Sequence, residues 1–321
     1  HSTSRRQRQM CIRDRLLLCA LLTFACVFFM TYHANGNWDF ILPFRGKKLL
    51  LLLMMAYTIG ISTLLFQTLT NNPILTPSIL GFDSLYLLVQ SILVFLFGGI
   101  GFTQLNVAGK FAFETLLMLL GALLLFRTLS KNNSDLARMI LVGIIFGVLF
   151  RSVNNLLQRM IDPNEFAVAQ GSSFASFNTV NPTLLWIGTV ITLVSALWIW
   201  QQRFKLDVLL LRRERAIGLG LEYHQFSRQL LICCALLVSI STALVGPILF
   251  LGLLVCAIVN AISPTMHHSI RIPMTFMVSA ITLVSGQAVF EQVMKMQGVL
   301  SVVIEFLGGL VFIYLMLRRA K

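Results

Sequence analysis

Three kinds of side chain in this sequence could do chemistry: twelve carboxylates, five histidines and six cysteines. Catalysis or metal binding needs several such groups at fixed spacing. None of the familiar spacings occurs. There is no H-E-x-x-H pair of zinc ligands, no G-x-S-x-G nucleophile turn and no G-x-x-x-x-G-K-[ST] phosphate loop. The carboxylates form no clustered pair. His267 and His268 are adjacent, so on a helix they point about 100° apart and do not easily share a metal. A solvated loop pair is the expectation for them. Cys11, Cys19, Cys26, Cys233, Cys234 and Cys256 form no C-x-x-C motif, and five of the six lie in or beside apolar runs, as small buried hydrophobes do. An intrinsic enzyme and a bound metal are both disfavoured.

What remains is charge in places where charge is costly. The 321 residues are 57% hydrophobic and only 12% charged, with a mean hydropathy of +0.84. A soluble domain carries about a quarter charged residues, so the bilayer is the solvent that fits. About ten segments are long and apolar enough for membrane helices: 16–33, 49–67, 78–97, 112–127, 138–157, 183–201, 229–246, 248–262, 273–290 and 299–317. Glu305 falls inside the last, where a carboxylate must face protein or water, in a structural role or toward a solute. Glu114, near the outer end of the fourth, is expected to snorkel. The fifth carries Gly143 and Gly147 four apart, a spacing that lets helices approach closely. Toward its outer end come Arg151, Ser152, Asn154 and Asn155. Arg151 reads equally as a snorkelling side chain and as an attractor for an anionic solute in a water-filled mouth.

The net charge of +13 does not signal nucleic acid. Lys and Arg cluster between apolar runs, not along a basic face interleaved with aromatics. With the N-terminus inside, the inward segments hold the larger share, including Arg127, Lys131 and Arg138, then Arg203 to Arg228, then Arg318, Arg319 and Lys321. The positive-inside bias therefore favours both termini in the cytoplasm. Lys110, Arg159 and Lys295 fall on the other side, as do Arg45, Lys47 and Lys48, just before the second span. Residues 1–15 are polar, basic and without pattern, and are expected to be extraneous. Residues 16–321 then form one transmembrane domain, whose largest inward segment is 202–228.

Three stretches carry a family resemblance. Asn72-Pro73-Ile74-Leu75-Thr76-Pro77-Ser78-Ile79-Leu80-Gly81 resembles the N-P-L-A-x-P-x-x-L-G stretch of the FecCD family, the permeases of iron–siderophore, haem and cobalamin importers. The run Asp207 to Leu221 resembles that family's D-x-L-x-L-G-x-x-x-A-x-x-L-G-[VL] loop, with Arg212 in place of the first glycine. Val245-Gly246-Pro247-Ile248-Leu249-Phe250-Leu251-Gly252-Leu253-Leu254-Val255 is similar to its A-G-P-I-G-F-V-G-L-I-V-P, although the P-H-x-x-R continuation is absent. Glu291 and the run Leu300 to Gly309 look most like the siderophore branch.

The resemblance implies an all-α, polytopic permease of the type II ABC-importer fold, in which the fifth span lines the translocation path at the interface of two permease subunits, with Gly143, Gly147, Arg151, Asn154, Asn155 and Glu305 as the path residues. It also implies a loop of two short helices docking on a partner ATPase. Leu209, Ala216, Ile217, Leu219 and Leu221 would be its apolar knobs, and Arg212, Arg213, Glu214 and Arg215 its charged rim, with Asp207 and Gly220 framing it. An amphipathic anchor of this kind suits a partner groove; an ordinary positive-inside loop is the plain alternative. Leu42-Pro43-Phe44-Arg45 resembles the family's L-P-R, whose arginine meets a periplasmic binding protein; a lysine cluster on lipid phosphate is the alternative. Implied partners are ABC ATPase subunits holding ATP-Mg, a second permease subunit, the binding protein, membrane lipid and a ferric siderophore, catecholates first. No cofactor is expected on this chain. An importer of haem or cobalamin, or a carrier driven by an ion gradient, stands as the alternative.

Overall fold

A computed structural model describes residues 2–32, 38–130, 136–171, 174–177, 181–263, 265–292 and 300–319. Lys131, Lys295 and Lys321 of the charge pattern lie outside the described residues. The chain forms thirteen α-helices among the described residues, and no strand. In a bilayer every backbone polar group must be satisfied within the chain, and helices do this segment by segment. They are α1 (Ser2–Thr31), α2 (Trp38–Thr70), α3 (Phe82–Gln104), α4 (Val107–Ser130), α5 (Leu136–Met160), α6 (Pro163–Gly171) and α7 (Pro182–Gln201). There follow α8 (Arg203–Leu209), α9 (Arg213–Gly218), α10 (Tyr223–Val245), α11 (Leu251–Ile262), α12 (His268–Gln292) and α13 (Leu300–Arg319). Seven of them are long and apolar enough to cross a membrane: α2, α3, α4, α5, α7, α10 and α12. Shorter apolar helices occupy Arg15–Thr31, Leu251–Ile262 and Ser301–Val311.

The 33-residue α2 is the axis of the bundle. At 1.5 Å per residue it is about 50 Å long. It packs against α12, α10, α11, α7 and α1, and 72% of its most apolar stretch is buried, against 17% for α5. Two apolar cores flank it. Ile61, Leu64, Leu65 and Phe66 join α3, α4 and α10 in one; Leu51, Leu52, Met55 and Ala56 join α1, α11 and α12 in the other. The α4, α5 and α7 helices instead leave wide apolar faces exposed, including Leu120, Leu149 and Leu193. In a membrane bundle such faces meet lipid or another subunit.

Pro73 and Pro77 break the path between α2 and α3, because neither can donate a helical backbone hydrogen bond. A 3-10 turn over Pro77–Leu80 follows, and Gly81 at φ +87° redirects the chain into α3. This turn packs against the middle of α5, where Gly143 meets Leu80 and Gly147 meets the Gly81 backbone. The glycine pair thus serves a contact inside this chain.

Two polar clusters are buried between helices. The Glu114 carboxylate accepts from Gln90 Nε2 at 2.7 Å and lies 3.8 Å from Lys110 Nζ. Glu114 is only 2% exposed, so the snorkelling expectation fails; neighbours on α3 and α4 satisfy it in place. Lys48 forms an ion pair with Glu291, which also accepts from Gln287 Nε2 at 2.7 Å. Breaking a buried pair from one side costs about 3–5 kcal/mol. Glu291→Ala is accordingly expected to lower the thermal midpoint of the purified protein strongly. Glu291→Gln, which can still bond Lys48, should lower it less.

Candidate functional site

The inward loop of the sequence reading folds as two short helices, α8 and α9, between α7 and α10. Apolar side chains pin it to the bundle. Leu206, Leu209 and Ala216 are fully buried. Leu209 and Ala216 therefore anchor the loop to its own chain and are not the knobs offered outward. The exposed apolar groups are Phe204, Leu211, Ile217 and Leu219, ringed by exposed Arg212, Glu214 and Arg215. Arg213 is half-buried, with Nη2 3.2 Å from His224 Nε2. Arg212 holds φ +70°, a left-handed conformation that favours glycine. That is the position where the resembling motif has glycine.

A polar strut ties the loop to the transmembrane helices. Asp207 Oδ1 accepts from the His268 backbone N–H at 2.7 Å and lies 2.7 Å from His268 Nδ1. On the far side of the ring, His268 Nε2 is 2.8 Å from the Thr68 hydroxyl. A carboxylate can only accept, so Nδ1 carries the proton. In the neutral ring Nε2 is an acceptor, and the single Thr68 hydroxyl proton is shared between it and the Leu64 carbonyl at 2.9 Å. His267 Nδ1 adds a longer contact of 3.3 Å to Asp207 Oδ2. Partial burial pushes the Asp207 carboxyl up, but hydrogen bonds from the His268 backbone and the two rings outweigh it and hold it below the usual carboxylate range. Asp207 therefore stays ionised well below neutral pH. The strut joins α8 to the end of α2 and the start of α12.

His268 is completely buried, so the solvated-pair expectation holds only for exposed His267. The pairing spans 61 residues of sequence. Its one sequence signal was a polar pair opening an apolar span, beside an acid in the longest inward segment.

The proposed path residues divide. Arg151 and Asn155 lie on the exposed face of α5, while Asn154 is buried with its side-chain oxygen unpartnered in the described structure. Glu305 on α13 is half-buried, and its carboxylate accepts from the Leu249 backbone. Sequence reading passed over Asp83, at the start of α3. It is 6% exposed, bonds to the Ser78 side chain, and lies within electrostatic reach of Arg151 and Glu305. The turn at Gly81 thus brings an acid from α3, a base from α5 and an acid from α13 into one region at membrane depth.

The outer cluster divides as well. Arg45 Nη1 donates to the carbonyls of Phe29, Met30 and Tyr32 at 3.0, 3.2 and 2.7 Å. These are among the last carbonyls of α1, where a cation also complements the helix dipole. Lys48 is buried against Glu291. Of the three, Lys47 alone is exposed, and Arg45 is half-buried. Among the described residues, no group of three His, Cys, Asp or Glu side chains is arranged to hold a metal.

Comparison with known proteins places these features. The FecCD transport family matches residues 17–318. The petrobactin import system permease protein YclO of Bacillus subtilis (strain 168) is 44% identical over 96% of this chain and 98% of its own length. The corresponding protein FatC of Bacillus anthracis is 35% identical over 86% of this chain and 78% of its own length. Among solved structures, a metal-chelate type ABC transporter in an inward-facing conformation superposes with a TM-score of 0.83 at 21% identity, covering 95% of this chain and 99% of that one. That similarity speaks for the fold alone. On the family match across its length, this multi-pass membrane chain belongs to the FecCD transport family, the permeases of ABC importers.

Proposed function

We propose that this chain is one membrane subunit of an ATP-binding-cassette importer that moves a ferric siderophore, catecholates first, inward across the bacterial cytoplasmic membrane. The observation that carries the reading is the α8–α9 loop, pinned by Leu206, Leu209 and Ala216 and strutted through Asp207. It is rigid on the side facing its own helices and amphipathic on the side left open. That is what a lever driven by a partner requires. The two petrobactin permeases among the relatives support the substrate class.

In this reading both termini face the cytoplasm and α8–α9 docks on the ATPase. A second permease subunit, a paralogue or an identical chain, covers the exposed face of α5. The loaded binding protein docks outside. ATP-Mg binds to the partner, and this chain holds no cofactor. Closure of the ATPases pushes the loop, and the strut passes that push to α2 and α12. Those helices run through the middle of the bundle, so their shift moves the helices packed on them and opens the path alternately. Arg151 attracts the anionic chelate at its mouth.

The substrate is tested by growth on single ferric siderophores as sole iron source, with and without the gene. Loss of growth on catecholates alone is expected; unimpaired growth on all of them contradicts the assignment. Arg151→Ala should reduce uptake about 3- to 10-fold at unchanged membrane abundance. Lys47→Glu is expected to weaken binding-protein docking about ten-fold at low ionic strength and less at high salt, as a rim charge does. Arg45→Ala should instead lower the thermal midpoint by the equivalent of about 1 kcal/mol, because three helix-end carbonyls lose their donor.

A further inference from the structure

Beside the strut lies a half-open cavity of about 220 Å³, at the inward end of α2. Gln67, Thr68, Asn72, Leu210, Asn260 and Arg271 line it. Its polar groups are amides, one hydroxyl and one guanidinium, and Pro73, Leu210 and Met266 complete the wall. Arg271 is 6% exposed. Its Nη2 bonds to Asn260 Oδ1, and its Nη1 meets only the weak acceptor Met266 Sδ at 3.6 Å. Its Nε has no acceptor in the described structure. No described carboxylate lies within ion-pair distance of it. The nearby acid, Asp207, is spent on the two histidines.

A buried cation without a counter-ion is costly, and an unmade hydrogen bond from it adds to the cost. An anion in the cavity removes both penalties. A guanidinium matches the oxygens of phosphate bidentately. At about 30 Å³ per water, 220 Å³ holds a tetrahedral oxyanion together with several waters. The walls hold no second cation, and Gln67 gives its amide N–H to the Pro73 carbonyl at 2.8 Å and leaves its oxygen unpartnered, so the anion is held chiefly by Arg271. Acid side chains would repel it, and none lines the cavity. The cavity touches the end of α2, the end of α11, the start of α12 and Leu210 of the inward loop. An occupant would brace four elements that the transport cycle has to shift.

We infer that this cavity is a binding site for a phosphate group, held by Arg271, at the cytoplasmic end of the permease. The phosphate comes either from solution or from an anionic lipid headgroup. The site does not depend on which chelate is carried.

The test uses the full chain with its co-expressed partner subunits, in nanodiscs of phosphatidylcholine. The readout is the thermal midpoint of this subunit as inorganic phosphate is added, without nucleotide and with chloride as the ionic-strength control. A rise of about 2–4 °C that saturates with phosphate is expected. Arg271→Gln should abolish the response. Because that variant risks misfolding, Asn260→Asp provides a second arm. It places a carboxylate beside Arg271, and should raise the basal midpoint while removing the response to phosphate. Discs of phosphatidylglycerol without added phosphate distinguish the sources. Stabilisation there that Asn260→Asp removes assigns the site to a headgroup. A response equal in the wild type and Asn260→Asp, or none from either source in the wild type, overturns the proposal. Those outcomes leave the coupling role of α8–α9 untouched.

Discussion

His268→Ala is expected to cut ATP-driven uptake ten-fold or more while ATP hydrolysis by the assembled importer stays within about two-fold of wild type. Ten-fold corresponds to about 1.4 kcal/mol of lost coupling, well within what one charge-assisted hydrogen bond supplies. The ring is the only link in the chain Asp207–His268–Thr68 that touches both ends, at 2.7 and 2.8 Å. Without it, α8 remains seated by Leu206 and Leu209, and the backbone N–H of residue 268 still bonds Asp207 and holds α8 to α12. What is lost is the ring's own bond to Asp207 and, through it, the connection to α2. Asp207→Asn should lie between, since an amide keeps an acceptor for His268 but loses the charge. Thr68→Val, which removes only the far contact, should be milder still. His268→Asn, which can restore a donor toward Asp207, should recover part of the uptake. A purely structural role would lower uptake, hydrolysis and membrane abundance in proportion. The split between uptake and hydrolysis is therefore the discriminating observation. Because Asp207 is held ionised, its contribution is present above the ordinary carboxylate range and lost only as pH falls through its depressed pKa. Acidification to pH 5 is not expected to release that carboxylate from the strut.

Gly81→Ala is expected to lower the amount of folded protein in the membrane several-fold. Two costs add. Gly81 sits at φ +87°, where a side chain costs about 1–2 kcal/mol. A Cβ there would also come within 2.6 Å of the Gly147 Cα and 2.9 Å of its nitrogen. Both are backbone atoms, which cannot swing aside, so overpacking adds about 1–3 kcal/mol. The sum is a large share of an ordinary domain's margin of stability. Gly147→Ala should be milder, because its Cβ would stand 3.0 Å from the Gly81 Cα and its own backbone is helical. Thermal midpoints of the two variants in detergent should fall in that order. An unchanged midpoint for Gly81→Ala would mean that the turn does not press on α5 as described.

The broad architecture was legible because hydropathy reports the solvent directly. Each apolar run read from the sequence falls largely on a helix of the structure, although only seven described helices are long and apolar enough to cross a membrane, and the segment around Asp207 forms the two short helices that its motif implied. Which helix occupies the middle was not legible. Inside a bilayer the buried and lipid-facing sides are equally apolar, so composition does not mark α2 as the axis. Single residues were less legible for a related reason. Sequence shows the position of Arg45 and Lys48 and not their partners; half-buried Arg45 also reaches carbonyls at the end of α1, and Lys48 pairs with Glu291 on α12. Leu209 and Ala216 read as outward knobs, since a short loop pattern does not say which apolar side turns inward. Gly143 and Gly147 correctly marked a close approach, but spacing alone does not name the element that approaches. His268 and Asp83 take their roles from neighbours far away in the chain, and a single sequence carries no sign of those pairings.

The central claim is that a partner's ATP drives this chain through α8–α9. The most direct measurement is ATP-dependent uptake of a ferric catecholate into proteoliposomes holding the whole importer. Wild type would be compared with a complex in which the exposed groups Leu211, Ile217 and Leu219 are changed together to Ser. The account predicts that the triple variant inserts and folds normally but loses both uptake and co-purification with the ATPase. Full uptake by that variant, or uptake by wild type without ATP, would contradict it.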